Sequence, residues 1–289
     1  MQPRRVSGLA CGVALWIASL VELAVVHDVT SIAIAAGFAV FLTLAWAATV
    51  AIVRVPTEPP DDVMRASGEH RRVLARTLFV AAFAVLVFCL AFDFAGYRVA
   101  PWFYHAFLAV QRTVLPSLGS ASPKFILTAL VPGLVVLALG ARPREIGLGR
   151  GARGTLWATL ACTSPFLIAF VVRLLQGRLS LAQLGVYVAH NVLSNGFSEE
   201  FLSRGLILAH ARAFMRSDWA LLVQALAFAA FHLGVSMRDE PTTIACIANV
   251  IALNGPMGYL LGLMTLRTRN LVLPSALHTA FDTVRNVFS

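Results

Sequence analysis

Charged residues are scarce in this sequence. Only 13% of its 289 residues are Asp, Glu, Lys or Arg, 58% are hydrophobic, and the mean hydropathy is +0.79. A soluble globular domain carries about 25% charged residues. The composition therefore excludes an ordinary soluble domain and predicts a polytopic membrane protein. Because the apolar runs are too long and continuous for barrel strands, we expect an all-α transmembrane helical bundle.

Lysine is almost absent. Of the 23 basic residues only Lys124 is a lysine, and the formal net charge is +9. The arginines fall in short connectors between apolar runs, which is the pattern of cytoplasmic loops in membrane proteins. The charge therefore predicts the lipid bilayer as a partner and argues against nucleic acid. By the same count, Arg98, Arg112 and Lys124 are assigned to the outer side.

Cysteine pairs and a zinc-protease motif are also missing. The four cysteines lie in four different apolar runs and none forms a C-x-x-C motif, so neither a disulfide framework nor a thiolate metal site is predicted. The sequence contains no H-E-x-x-H motif, in which one short helix supplies two zinc-binding histidines.

The apolar runs predict eight or nine membrane spans. A span needs about 20 apolar helical residues. The first run is longer than the apolar region of a signal peptide, so we expect an uncleaved transmembrane helix. The fourth run is short and the sixth is long, which leaves the count open. The predicted spans are 6–26, 31–53, 76–96, 125–141, 154–173, 183–211, 219–236, 243–266 and 271–288.

Polar groups within the spans separate the chain into two parts. Residues 1–140 hold few of them and are predicted to be N-terminal transmembrane helices of unknown role, whereas residues 141–289 hold nearly all. Ionisable residues inside a membrane are costly and usually functional. We therefore predict an intramembrane catalytic cavity in the C-terminal part.

The stretch 196–204 contains two adjacent carboxylates and one guanidinium within an apolar run. On a helix Glu200 and Arg204 are four residues apart, with Glu on the N-terminal side, which is the favourable order for an ion pair. Glu199 lies about 100° around the helix from Glu200. We therefore expect Glu199 to lie outside that pair and to be available for chemistry.

Two histidines complete the polar constellation. Phe228 and His232 are one helical turn apart on the seventh predicted span. His278 and Asp282 share one face of the last span. Carboxylates and imidazoles on three apolar helices would leave unsatisfied polar atoms in lipid, at a cost in free energy, unless they contact one another. We therefore expect them to form a single site.

Three chemistries fit such a site. Glu199 as a general base can activate water for attack on a carbonyl, with His232, His278 and Asp282 assisting. Alternatively, Glu199, His232 and His278 are a donor set for zinc with an open fourth position. The third alternative is a proton-coupled transporter, for which intramembrane carboxylates and histidines are equally suitable.

These residues resemble the motifs of a known family, the intramembrane CAAX-protease and bacteriocin-processing proteins, called CPBP or ABI. Its motifs are E-E-x-x-x-R, F-x-x-x-H and H-x-x-x-N or D on successive transmembrane helices. Here they read Glu199, Glu200 and Arg204, then Phe228 and His232, then His278 and Asp282. The resemblance covers residues 141–289, which it identifies as the protease core.

The resemblance implies an intramembrane endopeptidase that cleaves membrane-associated proteins or peptides. The style of the sequence, and not the resemblance, predicts the bacterial inner membrane as its location. In the family the first Glu is the base, which predicts this role for Glu199 and structural roles for Glu200, Arg204 and Phe228. No cofactor is favoured, and zinc is the alternative. Many members have Asn where this chain has Asp282, and an ionised Asp cannot donate to an oxyanion, so Asp282 is either protonated or orients His278. A silent scaffold or immunity protein is a further alternative.

Overall fold

The computed structural model describes residues 7–27, 29–54, 68–94, 102, 121–240 and 242–288. Throughout these residues the regular structure is helical and no strand occurs, which confirms the predicted all-α class. The helices that are unbroken α-helix are α1 (Gly8–Val26), α2 (Val29–Ile52), α3 (Gly68–Phe94), α5 (Thr155–Leu175), α7 (Ser217–Phe231), α8 (Leu233–Asp239), α9 (Thr243–Thr268) and α10 (Val272–Phe288).

Two helices contain wider, π-helical turns. Helix α4 (121–138) runs from Ala121–Phe125 through a π-helical turn at Ile126–Leu130 into Val131–Ala138. Helix α6 (181–211) contains π-helical stretches on both sides of Ser198–Glu200. Its successive segments are Leu181–Asn191, Val192–Gly196, Ser198–Glu200, Phe201–Leu208 and Ala209–Ala211. Such turns are frequent at functional sites.

Six helices are long and apolar enough to cross a membrane, among the residues that the structure describes. They are Gly8–Val26, Thr30–Ile52, Arg71–Ala91, Thr155–Leu175, Ser217–Met237 and Thr243–Thr268. These helices confirm an integral membrane protein and correspond to six of the nine predicted spans. The other three predicted spans fall on α4, α6 and α10, so the total of eight or nine stays a prediction.

The chain forms two compact units, each built from separate stretches. Unit 1 comprises Met1–Ala47, Asp61–Asp93 and Ile207–Leu263, and unit 2 comprises Ala48–Pro60, Phe94–Leu206 and Met264–Ser289. The division at 140/141 predicted from the distribution of polar groups stays a prediction about function.

Unit 1 packs through small residues, as is common between membrane helices. The indole Nε1 of Trp16 on α1 donates to the carbonyl of Ala252 on α9 at 3.0 Å. A Cβ on Gly258 of α9 would lie only 2.8 Å from the Cα of Ala225 on α7. The close approach of α7 and α9 therefore requires glycine at position 258.

In unit 2, helix α10 packs against α5 and α6. Phe170, Leu179 and Val287 form a buried apolar cluster at one end of this packing. The start of α10 is tied to the loop before α5, because the Leu271 N–H donates to the Gly147 carbonyl at 3.0 Å. These contacts fix α10 beside α6, which carries the acidic motif.

All four cysteines are free thiols. Cys162 and Cys246 are buried, and Cys11 and Cys89 are partly exposed. Each lies on a different helix, as the sequence predicts.

Candidate functional site

The acidic motif lies where α6 departs from α-helical geometry. The Phe197 N–H donates to the carbonyl of Val192, five residues earlier, at 2.9 Å. A Cβ on Gly196 would overlap the Thr279 hydroxyl of α10 and lie 3.0 Å from the Ser275 carbonyl. Glycine at position 196 therefore lets α6 approach α10 closely, just before the two glutamates.

Glu200 and Arg204 form the ion pair that their spacing predicts. The Arg204 Nη1 donates to Glu200 Oε1 at 2.8 Å, and both side chains are completely buried. An isolated charge in such surroundings costs several kcal/mol, whereas a paired and hydrogen-bonded one is tolerated. The pair therefore anchors the π-helical part of α6.

His278 binds the same carboxylate. Its Nδ1 lies 2.8 Å from Glu200 Oε1, and the residue is only 3% exposed. Because an ionised carboxylate only accepts, Nδ1 carries a proton in this hydrogen bond. The other ring nitrogen, Nε2, lies 4.0 Å from Glu199 Oε2 and 3.6 Å from Asp282 Oδ2. Glu200 thus holds the imidazole in the orientation that turns Nε2 toward Glu199.

Glu199 has a cation of its own. The Lys124 ammonium, at the start of α4, lies 2.5 Å from Glu199 Oε1, and Glu199 is 3% exposed. Lys124 was expected in a connector but lies on helix α4, where its ammonium reaches a buried carboxylate. Its assignment to the outer side stays a prediction. Glu199 does lie outside the Glu200–Arg204 pair, but in an ion pair with Lys124.

Asn195 joins this cation to the terminal aspartate. Lys124 Nζ donates to Asn195 Oδ1 at 2.9 Å, and Asn195 Nδ2 donates to Asp282 Oδ2 at 2.6 Å. Asp282 therefore accepts a hydrogen bond and stands beside His278 Nε2. The two alternatives for Asp282, orientation of His278 and donation to an oxyanion, both stay predictions.

The contacts form one network within unit 2. From Glu199 it continues through Lys124, Asn195 and Asp282 to His278, and then through Glu200 to Arg204. Three carboxylates face two fixed cations in it. The imidazole of His278 lies among all three carboxylates.

Lys124 and Asn195 are absent from the three sequence motifs. Each has a sequence signal that identifies it. Lys124 is the only lysine in a chain whose other basic residues are all arginine. Asn195 precedes Glu199 by four residues, the spacing that places two side chains on the same face of a helix.

His232 and Phe228 belong to unit 1. His232 ends α7, its Nδ1 lies 2.9 Å from the Phe228 carbonyl oxygen, and its ring centroid is 4.9 Å from that of Phe228. Because a carbonyl only accepts, Nδ1 carries the proton and Nε2 is the acceptor of the neutral ring. The spacing F-x-x-x-H thus fixes the orientation of the imidazole. Its participation in one site with Glu199 stays a prediction.

Zinc is the alternative cofactor that the sequence predicts. Among the described residues, no group of three His, Cys, Asp or Glu side chains is arranged to hold a metal ion. Zinc held by Glu199, His232 and His278 stays the alternative to a metal-free site. The chemistry below uses only the side chains of the chain.

Comparison with known proteins identifies the segment that carries the motifs. A family model described as "Type II CAAX prenyl endopeptidase Rce1-like" matches residues 181–284. This match includes all three motifs and confirms the resemblance for that segment. Residues 141–180, which were also predicted to belong to the core, lie outside it. No curated protein and no solved structure matches the chain.

Proposed function

We propose that this chain, whose residues 181–284 are Rce1-like, is an intramembrane endopeptidase in which Glu199 activates the hydrolytic water. The likeness to a protease family supports peptide hydrolysis as the class of reaction. The observation that carries the assignment of the base is the 4.0 Å separation between Glu199 Oε2 and His278 Nε2. One water molecule can span this distance with a hydrogen bond to each atom.

The reaction needs one proton acceptor and one stabiliser of negative charge. Glu199 removes a proton from water, and the water oxygen bonds to the peptide carbonyl carbon, which places a negative charge on the carbonyl oxygen. His278, as an imidazolium, donates from Nε2 to that oxygen. The C–N bond then breaks, the amine takes the proton held by Glu199, and the carbonyl product leaves as a carboxylic acid.

Lys124 supports the base in this scheme. An ammonium 2.5 Å from Glu199 Oε1 favours the ionised carboxylate, which is the form that accepts a proton. Asn195 holds the ammonium from its other side, at 2.9 Å. We assign Lys124 and Asn195 as positioning residues, and Glu200 as the residue that orients His278.

The substrate class that fits an intramembrane site is a membrane-associated protein or peptide. The family description reads CAAX prenyl endopeptidase, and we propose a site of related chemistry that does not require a C-a-a-X sequence. We place the protein in the bacterial inner membrane, with its arginine-rich loops facing the cytoplasm.

The test is cleavage by the purified full-length chain in lipid nanodiscs. It is incubated with membrane-associated peptides, some ending in C-a-a-X with and without a prenyl group, in water enriched in ¹⁸O. We expect new peptide ends by mass spectrometry and one ¹⁸O in each new carboxylate. Glu199→Ala should lose this activity, whereas Glu69→Ala, an exposed glutamate on α3, should keep it.

Three results would contradict the proposal. Unchanged cleavage by Glu199→Ala would remove Glu199 as the base. Proton-driven flux in vesicles without any peptide cleavage would favour the transporter, and a cellular phenotype that survives loss of both Glu199 and His232 would favour a silent scaffold.

A further inference from the structure

A cavity within unit 1 is lined by residues that take no part in the chemistry proposed above. It has a volume of about 400 Å³ and is lined by Arg72 and Arg76 of α3 together with residues 213–216, which connect α6 to α7. Since a water molecule occupies about 30 Å³ in the liquid, this space exceeds what a single ion fills. Arg216 supplies a third guanidinium to the same lining.

The charge of this cavity is strongly positive. Arg216 Nη2 pairs with Asp218 Oδ2 at 3.0 Å, and the same carboxylate oxygen accepts from the Gly8 N–H at 2.9 Å. Within the described part of the chain, no carboxylate forms an ion pair with Arg72 or Arg76. Two guanidinium groups therefore face the cavity without a carboxylate counterion from the described residues.

An aromatic side chain gives the cavity a fixed wall. The Arg76 guanidinium carbon lies 6.0 Å from the centroid of the Phe214 ring, within the range of a cation–π contact. Phe79 packs edge-on against the same ring, with centroids 5.2 Å apart. The Arg76 guanidinium therefore lies against a ring that is itself packed against a second ring.

The cavity lies where two candidate membrane spans begin. One span is Arg71–Ala91 and the other is Ser217–Met237, so Arg72, Arg76 and Arg216 are all close to the first residues of a span. Next to these arginines along the sequence, α3 exposes apolar side chains, including Val73 at 54% and Val80 at 64%. Cationic groups thus stand directly beside a surface suited to acyl chains.

We propose that Arg72, Arg76 and Arg216 form a binding site for a phosphate-bearing anion at the membrane surface. Guanidinium groups bind phosphate oxygens through paired hydrogen bonds, and basic pockets between transmembrane helices bind anionic lipid headgroups. The neighbouring apolar face of α3 favours a phospholipid headgroup as the source of the phosphate. Free phosphate shares the same chemistry and is the other source.

The experiment measures lipid binding to the full-length chain in detergent by native mass spectrometry. Phosphatidylglycerol is titrated against phosphatidylcholine. We expect saturable binding of phosphatidylglycerol, and at least a tenfold loss of affinity in the variant R72Q/R76Q/R216Q. The matched control is R144Q/R150Q/R153Q, which removes three exposed arginines and the same charge, and should bind as the unaltered chain does.

A second titration identifies the source of the phosphate. If inorganic phosphate displaces the lipid, or binds alone and is lost in R72Q/R76Q/R216Q, the site takes the free anion. If phosphate has no effect while the lipid binds, the site takes a headgroup. Equal phosphatidylglycerol binding by the two triple variants, or no preference over phosphatidylcholine, overturns the proposal. A thermal unfolding curve of each variant shows that the comparison is between folded proteins.

Discussion

Replacing Lys124 by Met removes the cation of the proposed base while keeping an unbranched side chain. At 2.5 Å and an effective dielectric constant of about 20, Coulomb's law gives about 6.6 kcal/mol for the pair with Glu199. Desolvation offsets much of this attraction, and breaking a buried pair costs about 3–5 kcal/mol. Because the Lys124 side chain is 30% exposed, we take the lower end, about 3 kcal/mol.

Because Glu199 must be ionised to accept a proton, we expect the loss of its cation to raise the activation free energy of cleavage by a similar amount. About 3 kcal/mol corresponds to a fall of about 150-fold in kcat. KM should change little, because Lys124 is assigned to Glu199 and not to the substrate. Lys124→Arg keeps the charge but replaces a compact ammonium by a planar guanidinium. We therefore expect a smaller loss of kcat, about tenfold.

The assay is steady-state cleavage of a peptide identified in the nanodisc experiment, with each variant checked by thermal unfolding. Arg285→Met, which removes an exposed cation of α10, is the matched control and should retain its kcat. The reasoning fails if Lys124→Met keeps kcat within threefold of the unaltered chain, or if only KM rises.

Three further predictions concern the frame and the chemistry of the site. Gly196→Ala should lower the free energy of unfolding by about 1–3 kcal/mol, because the added Cβ overlaps the Thr279 hydroxyl. Gly185→Ala is the control, since Gly185 has open space around it, and it should leave stability unchanged. Equal unfolding temperatures of the two variants would refute this prediction. Arg204→Leu should destabilise the fold by about 3–5 kcal/mol, since it leaves the buried Glu200 carboxylate without its guanidinium partner. The measurement is unfolding by denaturant, and an unchanged denaturant concentration at the midpoint would contradict a stabilising pair. Chelators should leave peptide cleavage unchanged, and stoichiometric zinc whose removal abolishes cleavage would contradict the metal-free scheme.

Much of the fold follows from apolar runs and residue spacing. The length of each run predicts a helix, because only a helix satisfies the backbone of a single spanning segment in lipid. The contact of Glu200 with Arg204 follows from the i, i+4 rule, since both lie on one helix. The spacing of His278 and Asp282 likewise places both beside the same neighbours.

The contacts that could not be predicted join separate parts of the chain. Lys124 reaches Glu199 across 75 positions of sequence, whereas the limits of the apolar runs placed it at the end of the connector 97–124, just before the run 125–141. The π-helical turns around Ser198–Glu200 have no sequence pattern of their own. The hydrogen bond between His278 and Glu200 depends on how closely α10 approaches α6, which only the packing at Gly196 determines.

The most direct test of the central claim is a double-mutant cycle on kcat between Glu199 and His278. If both act in the attack of water on the carbonyl carbon, each single substitution by Ala disables the same step. Glu199→Ala, His278→Ala and the double variant should then lose activity to nearly the same extent. A double variant whose loss equals the product of the two single losses would mean that the residues act independently, and would contradict a shared hydrolytic centre.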